Sequence, residues 1–291
     1  MPRLFRCFVA TGWLLGAICL ASLPANAVPG SSPSTPDLRK IDPALALIKR
    51  FENSALWASE WPHAPGFSPI DGVVKFPGAV YFDFLSDRRD VYEDPWTTEF
   101  LKKTMPEISR ITGLSFLDLA VPQGAEMAIF VRVTSNKALR EDMVNFGMDP
   151  RAADNASGPA ICNHWLALDY DGRLKFTYVF VKSEFPPEFR RHCILKNVMA
   201  ALGMGVADRT PRTDPAEISR RPFPALTLDD KILLRTLYDP RITIEMTGTT
   251  VTDTARRIIP ELRNAAFERG QTALYQRQSP STPAGSGHAG Q

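Results

Sequence analysis

The segment from 186 to 204, PPEFRRHCILKNVMAALGM, constrains the fold most, because its ends and its apolar pattern together predict one helix. The proline pair at its start suits a first helical turn, where a missing N–H costs nothing, and Gly203 supplies the left-handed conformation that commonly ends a helix. At 100° per residue, one broad side is apolar, whereas His192, Lys196 and Gly203 are expected to face outward. The apolar side comprises Ile194, Leu195, Val198, Ala201 and Leu202.

A β-hairpin is predicted directly before this helix. The runs WLALDY and RLKFTYVFV flank Asp171-Gly172, a dipeptide that favours the tight turn between two antiparallel strands. The second strand would therefore lead into the helix. Further strands are predicted at 73–76, 79–85, 114–121 and 126–134, and further helices at 44–53, 95–111, 136–146, from 227 to 239, and at 252–276.

The first 27 residues have the three parts of a secretory signal peptide: two arginines, an apolar run at 8–23 and the small-residue end Ala25-Asn26-Ala27. The apolar run is short for a membrane span and is followed by a proline, which favours cleavage over a retained anchor. We therefore expect the mature chain to begin at Val28, to be periplasmic or secreted, and to have no stable membrane span.

The mature chain is expected to contain one domain between two unstructured ends. Residues 28–41 are rich in Pro and Ser and poor in apolar residues, which predicts a flexible leader. Residues 42–277 are enough for one well-formed core. Residues 278–291 have the composition of a disordered tail.

The charge balance gives no indication of a nucleic-acid partner. The whole chain has 34 Lys and Arg against 32 Asp and Glu, and the signal peptide contains two of the arginines and no acidic residue. The mature chain is therefore neutral, and its basic residues are interspersed with acidic ones. Nucleic-acid binding needs a basic face or run, which this sequence lacks.

Two cysteines, Cys162 and Cys193, remain after the signal peptide is removed. A lone pair of cysteines in an oxidising compartment usually forms a disulfide, which here would join the start of the hairpin to the helix. The alternative is a cysteine nucleophile assisted by His164 or His192, and this alternative requires a free thiol.

Two stretches resemble a known family. They are CILKNVMAALG, from Cys193 to Gly203, and LTLDDKILLRTLYDPR at 226–241, with Met246 beyond it. Both resemble the proteobacterial secreted or lipoprotein-like proteins called domain of unknown function 2927. With the hairpin, the resemblance covers roughly 95–246. It implies a zincin-like α+β fold, in which a mixed sheet packs on the central helix, the strand preceding this helix lies near the sheet edge, and the C-terminal part is helical.

The helix of this family is similar to a degraded H-E-x-x-H zinc motif, and the present sequence departs further from it. Lys196 stands at the first metal ligand, Asn197 at the catalytic glutamate and Ala200 at the second ligand. A protonated lysine repels a cation, an alanine has no lone pair, and an asparagine cannot take a proton from water. The resemblance therefore implies neither a metal nor another cofactor.

The sequence thus predicts an exported, catalytically inactive zincin-like protein, a pseudo-peptidase that acts as a binding module of the cell envelope. Its partner would be an envelope protein or peptide, bound as an extended chain along the edge strand. The alternative is a hydrolase with a non-standard site formed by Glu188, His164 and His192. Glu188 and His192 are one helical turn apart, a spacing that is also common between solvated neighbours.

Overall fold

A computed structural model describes residues 42–56, 72–86, 95–117, 127–145, 148–158, 162–168, 173–205 and 224–276. The predicted signal peptide, leader and C-terminal tail lie outside these residues. The predicted hairpin turn at Asp171-Gly172 also lies outside them. In the described part of the chain, no helix is both long enough and apolar enough to cross a membrane.

Within the described ranges, five strands form one mixed sheet. The strands are β1 (Val80–Ser86), β2 (Phe116–Leu117), β3 (Ala128–Thr134), β4 (Cys162–Leu168) and β5 (Leu174–Lys182). They lie in the order β2-β1-β3-β5-β4; neighbours are parallel except β4, which is antiparallel to β5. The predicted hairpin and the α+β class are confirmed. β5, which leads into the central helix, lies next to the edge strand, as expected.

Seven α-helices accompany the sheet in the described residues. They are α1 (Pro43–Ala55), α2 (Pro95–Thr112), α3 (Asn136–Asn145), α4 (Pro150–Ala156), α5 (Pro187–Ala201), α6 (Leu228–Leu237) and α7 (Gly248–Arg269), and a 3₁₀ helix follows at Gln271–Leu274. The central helix is therefore confirmed as α5. The short helix α4 was not predicted, because two turns are too few to establish a helical period.

The main core lies on the sheet face that α5 covers. Val179 and Val181 of β5 share this core with Ile194 and Val198 of α5. Helices α1, α2, α6 and α7 also contribute buried side chains to it. The predicted C-terminal helix, expected at 252–276, begins at Gly248, ends at Arg269 and buries one side.

The chain after α5 turns sharply inside the core. Gly203 has a φ of +96°, and a Cβ atom at this position would lie 1.8 Å from the carbonyl oxygen of Val74. Gly203 is therefore buried, and the expectation that it faces outward is wrong. The hydroxyl of Tyr238 donates to the carbonyl of Leu202 at 3.0 Å and accepts from the amide of Phe76 at 3.3 Å. These contacts join the end of α5 to two distant segments.

The predicted strand at 73–76 is not formed. Val73 makes only an isolated bridge with Leu56, and the segment is held by the end of α6 instead. The ammonium of Lys75 donates to the carbonyls of Leu237 and Ile242 at 3.1 and 2.5 Å. A cation at a helix C-terminus is favourable, so this contact replaces strand pairing as the anchor of the segment.

The strands predicted at 114–121 and 126–134 do not pair with each other. In the structure β1 lies between β2 and β3 and pairs with both in parallel. Parallel pairing needs a crossover connection, which α2 supplies between β1 and β2. The residues that follow Leu117 up to 126 lie outside the described part of the chain, so the length of β2 beyond that point stays a prediction.

The opposite sheet face is covered at one end by α3 and α4. Leu139 and Met143 of α3 and Ala153 of α4 pack with Phe180 of β5 in a second, smaller core. Beside this core, half-buried aromatic side chains extend across β3, β5 and β4. This face is therefore less completely covered by the described helices than the face under α5.

Candidate functional site

The strand β4 and the helix α5 are joined by a disulfide. Cys162, the first residue of β4, is bonded to Cys193 in α5, and their Cα atoms are 6.2 Å apart. Both residues are buried. The predicted bridge is confirmed. The alternative of a cysteine nucleophile is wrong, since neither sulfur is a free thiol.

Asn197 forms a second connection between the same two elements. Its side-chain oxygen is 2.8 Å from Nδ1 of His164, which lies two residues after Cys162 on the same face of β4. Its amide nitrogen donates to the carbonyl of Cys193 at 2.8 Å and to the sulfur of Cys162 at 2.8 Å. Asn197, which the family resemblance matches to a catalytic glutamate, is thus a buried structural cross-link.

These contacts determine the tautomer of His164. The carbonyl of Cys193 can only accept, so the NH₂ group of Asn197 must face it, and the amide oxygen must then face His164. Nδ1 of His164 therefore carries the proton, and Nε2 has the lone pair. The pKa of His164 is lowered from its ordinary value, chiefly because burial penalises the charged ring, while the hydrogen bond with Asn197 opposes this shift.

The lowered pKa predicts a pH dependence of stability. The unfolded chain binds the His164 proton more readily than the folded protein, so the free energy of unfolding should fall as pH drops from about 6.5 toward the lowered pKa. One such group contributes at most about 1.4 kcal/mol per pH unit. In urea unfolding between pH 7.5 and 5, His164→Gln should show a shallower dependence than the natural protein. Equal slopes would contradict this account.

The two other positions that the resemblance matches to a zinc motif carry side chains that cannot bind a metal ion. Ala200 is completely buried, and Lys196 is half-buried. Neither side chain supplies a neutral nitrogen or a carboxylate. In the described ranges, no group of three His, Cys, Asp or Glu side chains is placed to hold a metal ion.

The residues of the hydrolase alternative are not brought to one place. His164 contacts Asn197, whereas Glu188 precedes Asn197 by nine residues. Nine residues correspond to two and a half turns, so Glu188 lies on the opposite side of α5 and roughly 13 Å away along the axis. His192, one turn after Glu188, also lies mostly away from the Asn197 side. The alternative receives no support from this geometry.

The contact between His164 and Asn197 is not among the predictions from sequence, although the spacing of these residues from the two cysteines indicates it. Cys162 and His164 are two residues apart on a strand and so share a face, and Cys193 and Asn197 are four apart on a helix and also share a face. A bridge between the first members of each pair brings the second members together. From the resemblance alone, Asn197 is only a lost catalytic base.

Comparison with known proteins identifies a family for this chain. No curated protein and no solved structure matches the chain. The profile of one family matches residues 49–259, which extends beyond the 95–246 resemblance on both sides and covers most of the chain. The chain therefore belongs to the family described as Protein of unknown function (DUF2927).

Proposed function

We propose that this protein is an exported, catalytically inactive zincin-like binding module of the cell envelope, which receives an extended polypeptide along the outer edge of β4. One observation carries the proposal. Asn197, at the catalytic glutamate position, is engaged by His164 and the disulfide region rather than directed toward a metal. In this proposal α5 corresponds to the zincin helix, and Asn197, at the position of the catalytic glutamate, has a structural role.

The spacing around α5 supports a zincin-like origin. In the metzincin motif H-E-x-x-H-x-x-G-x-x-H, a glycine lies seven residues after the first ligand. Counting from Lys196, this glycine falls on Gly203, whose φ of +96° requires glycine and ends the helix. The third ligand position would fall on Val206, which lies outside the described residues and whose side chain has no lone pair.

The chemistry of these positions favours binding over catalysis. A catalytic zinc needs three ligands with lone pairs and an open position for water, and a general base must stand beside it. Lys196 offers an ammonium group and Ala200 a methyl group. Asn197 cannot act as the base, because an amide does not accept a proton at neutral pH.

The edge strand favours an extended ligand. Among the described strands, β4 is the last in the sheet order, and none of them pairs with its outer side. Prolines and charged side chains commonly prevent an edge strand from pairing with another chain. The sequence of β4, CNHWLAL, contains neither. Addition of a peptide strand to such an edge is a recurring mode of recognition. The Cys162–Cys193 bridge suits the oxidising compartment that the predicted signal peptide implies.

Metal analysis tests the inactive part of this proposal. Protein that begins at Val28 and is purified without a chelator is expected to contain far less than one zinc per chain and to leave a fluorogenic peptide mixture uncleaved. Both results follow from the missing ligands and base. Near-stoichiometric zinc that disappears in His164→Ala or His192→Ala protein would overturn the proposal and favour the hydrolase alternative.

A further inference from the structure

Three aromatic rings form a row across the sheet, on the face opposite α5. Phe130 of β3 and Trp165 of β4 both lie directly opposite Tyr178 of β5 in the strand register. The ring centroids of Phe130 and Tyr178 are 4.9 Å apart, and those of Tyr178 and Trp165 are 5.5 Å apart. Both pairs are nearly parallel, with interplanar angles of 13° and 19°. The rings therefore stack face to face in the direction that crosses the strands.

The row stops at the sheet edge. One face of the Trp165 indole stacks on Tyr178, so the other face points away from β5, toward the place where a sixth strand would lie. Trp165 is half-buried, and within the described part of the chain Tyr178 is its only ring contact. An added strand would place one side chain directly opposite Trp165 on this face.

We propose that the segment bound along β4 carries an aromatic side chain opposite Trp165, so that the stacked row continues onto the ligand. This inference rests on the proposed function, because it specifies the ligand of the same edge. Aromatic pairs in this offset, near-parallel arrangement are more favourable than the apolar area they bury would indicate. Cross-strand pairs of this kind also determine register.

The absence of charged residues in β4 indicates which residues should flank this aromatic residue in the ligand. None of the seven residues of β4 carries a formal charge when His164 is neutral, the form that burial of its ring favours by lowering its pKa. A charged ligand residue pressed against this strand would lose water without gaining a counter-ion. The ligand is therefore an extended, largely uncharged segment of another polypeptide with one aromatic anchor.

A peptide library tests the proposal. Random heptapeptides displayed on phage are selected on the oxidised protein that begins at Val28, and the enriched sequences are synthesised with a fluorescent label. We expect an aromatic residue at one fixed position, flanked by uncharged residues. Replacing this aromatic by leucine, which keeps apolar volume and loses only the ring, should weaken binding roughly three- to tenfold in fluorescence anisotropy, the range expected for one aromatic pair.

Three variants assign the effect to the indole. Trp165→Phe retains a ring and should retain the aromatic preference, whereas Trp165→Leu keeps apolar volume without a ring and should lose it. Phe267→Leu is the matched control, because Phe267 is 92% exposed on α7, and it should bind as the natural protein does. Each variant is used only after its circular dichroism and its lack of free thiols match those of the natural protein.

The possible failures are distinguishable. Peptides that bind equally well to Trp165→Leu, with no aromatic preference, would overturn the inference and leave the proposed function standing. Failure to select any peptide would overturn both. Sedimentation showing a dimer that dissociates in Trp165→Leu would mean that a second copy of the chain occupies the edge, which would overturn the peptide assignment.

Discussion

Replacing Gly203 by alanine is expected to destabilise the protein by about 4 kcal/mol, in the range of the largest single substitutions. The new Cβ would lie 1.8 Å from the Val74 carbonyl oxygen, and a φ of +96° is itself strained for any residue with a side chain. Neither the close contact nor the backbone angle can relax easily, because Leu202 and Val74 are buried. Urea unfolding measures the change, and the Tm should fall by roughly 10 °C.

A second glycine separates the two causes. Gly270 has a similar φ of +80°, but no atom lies within 4 Å of the place where its Cβ would be. Gly270→Ala should therefore cost only the backbone term, about 1 to 3 kcal/mol, because a φ of +80° with a ψ of 171° is a conformation that essentially only glycine adopts. Gly78→Ala, with open space and no positive φ, should be close to neutral. Equal losses at Gly203 and Gly270 would show that the close approach to Val74 contributes nothing.

Removing the disulfide is the second change with a large expected effect. The double variant Cys162→Ala, Cys193→Ala opens a loop whose ends are 31 residues apart. The chain-entropy model predicts a loss of about 3.7 kcal/mol, because the unfolded chain gains freedom that the bridge had restricted. The free energy of unfolding, extrapolated to water from urea unfolding, measures the loss, and the slope should rise because the unfolded chain becomes less compact.

Chemical reduction provides the control for this variant. The natural protein unfolded in the presence of dithiothreitol should be destabilised by a similar amount, since the same constraint is removed without any change of sequence. Asn197→Ala tests the neighbouring cross-link, whose hydrogen bonds to His164 and Cys193 remain possible without the bridge. A reduced protein as stable as the oxidised one would contradict the prediction.

Local signals in the sequence were sufficient for the central part of the fold. The prolines before α5, the glycine after it and its apolar period predicted the helix, and the two runs that flank Asp171-Gly172 predicted the β4–β5 hairpin. The bridge followed from the count of cysteines. The helix and the hairpin depend on residues close in sequence. The bridge could be predicted because only two cysteines remain in the mature chain, so only one pairing is possible within it.

The contacts that depend on distant residues could not be predicted in this way. Val73, Val74 and Phe76 resemble a strand because they are apolar, but their position depends on Lys75 and the end of α6, more than 150 residues later. The place of β1 between β2 and β3 depends on crossovers that leave no local signature. Gly203 was correctly assigned as a helix end, but its contact with Val74 brings together segments far apart in the chain.

The arrangement of the sheet also has a consequence for the order of folding. The hairpin, α5 and the bridge between them occupy one continuous stretch, 162–201, so they can assemble after closing only short loops. The parallel pairs join distant residues, Tyr81 with Ala128 and Ala128 with Phe176, and loops of that length close more slowly. The edge strand and its helix would then form an early template, onto which the central strands dock later.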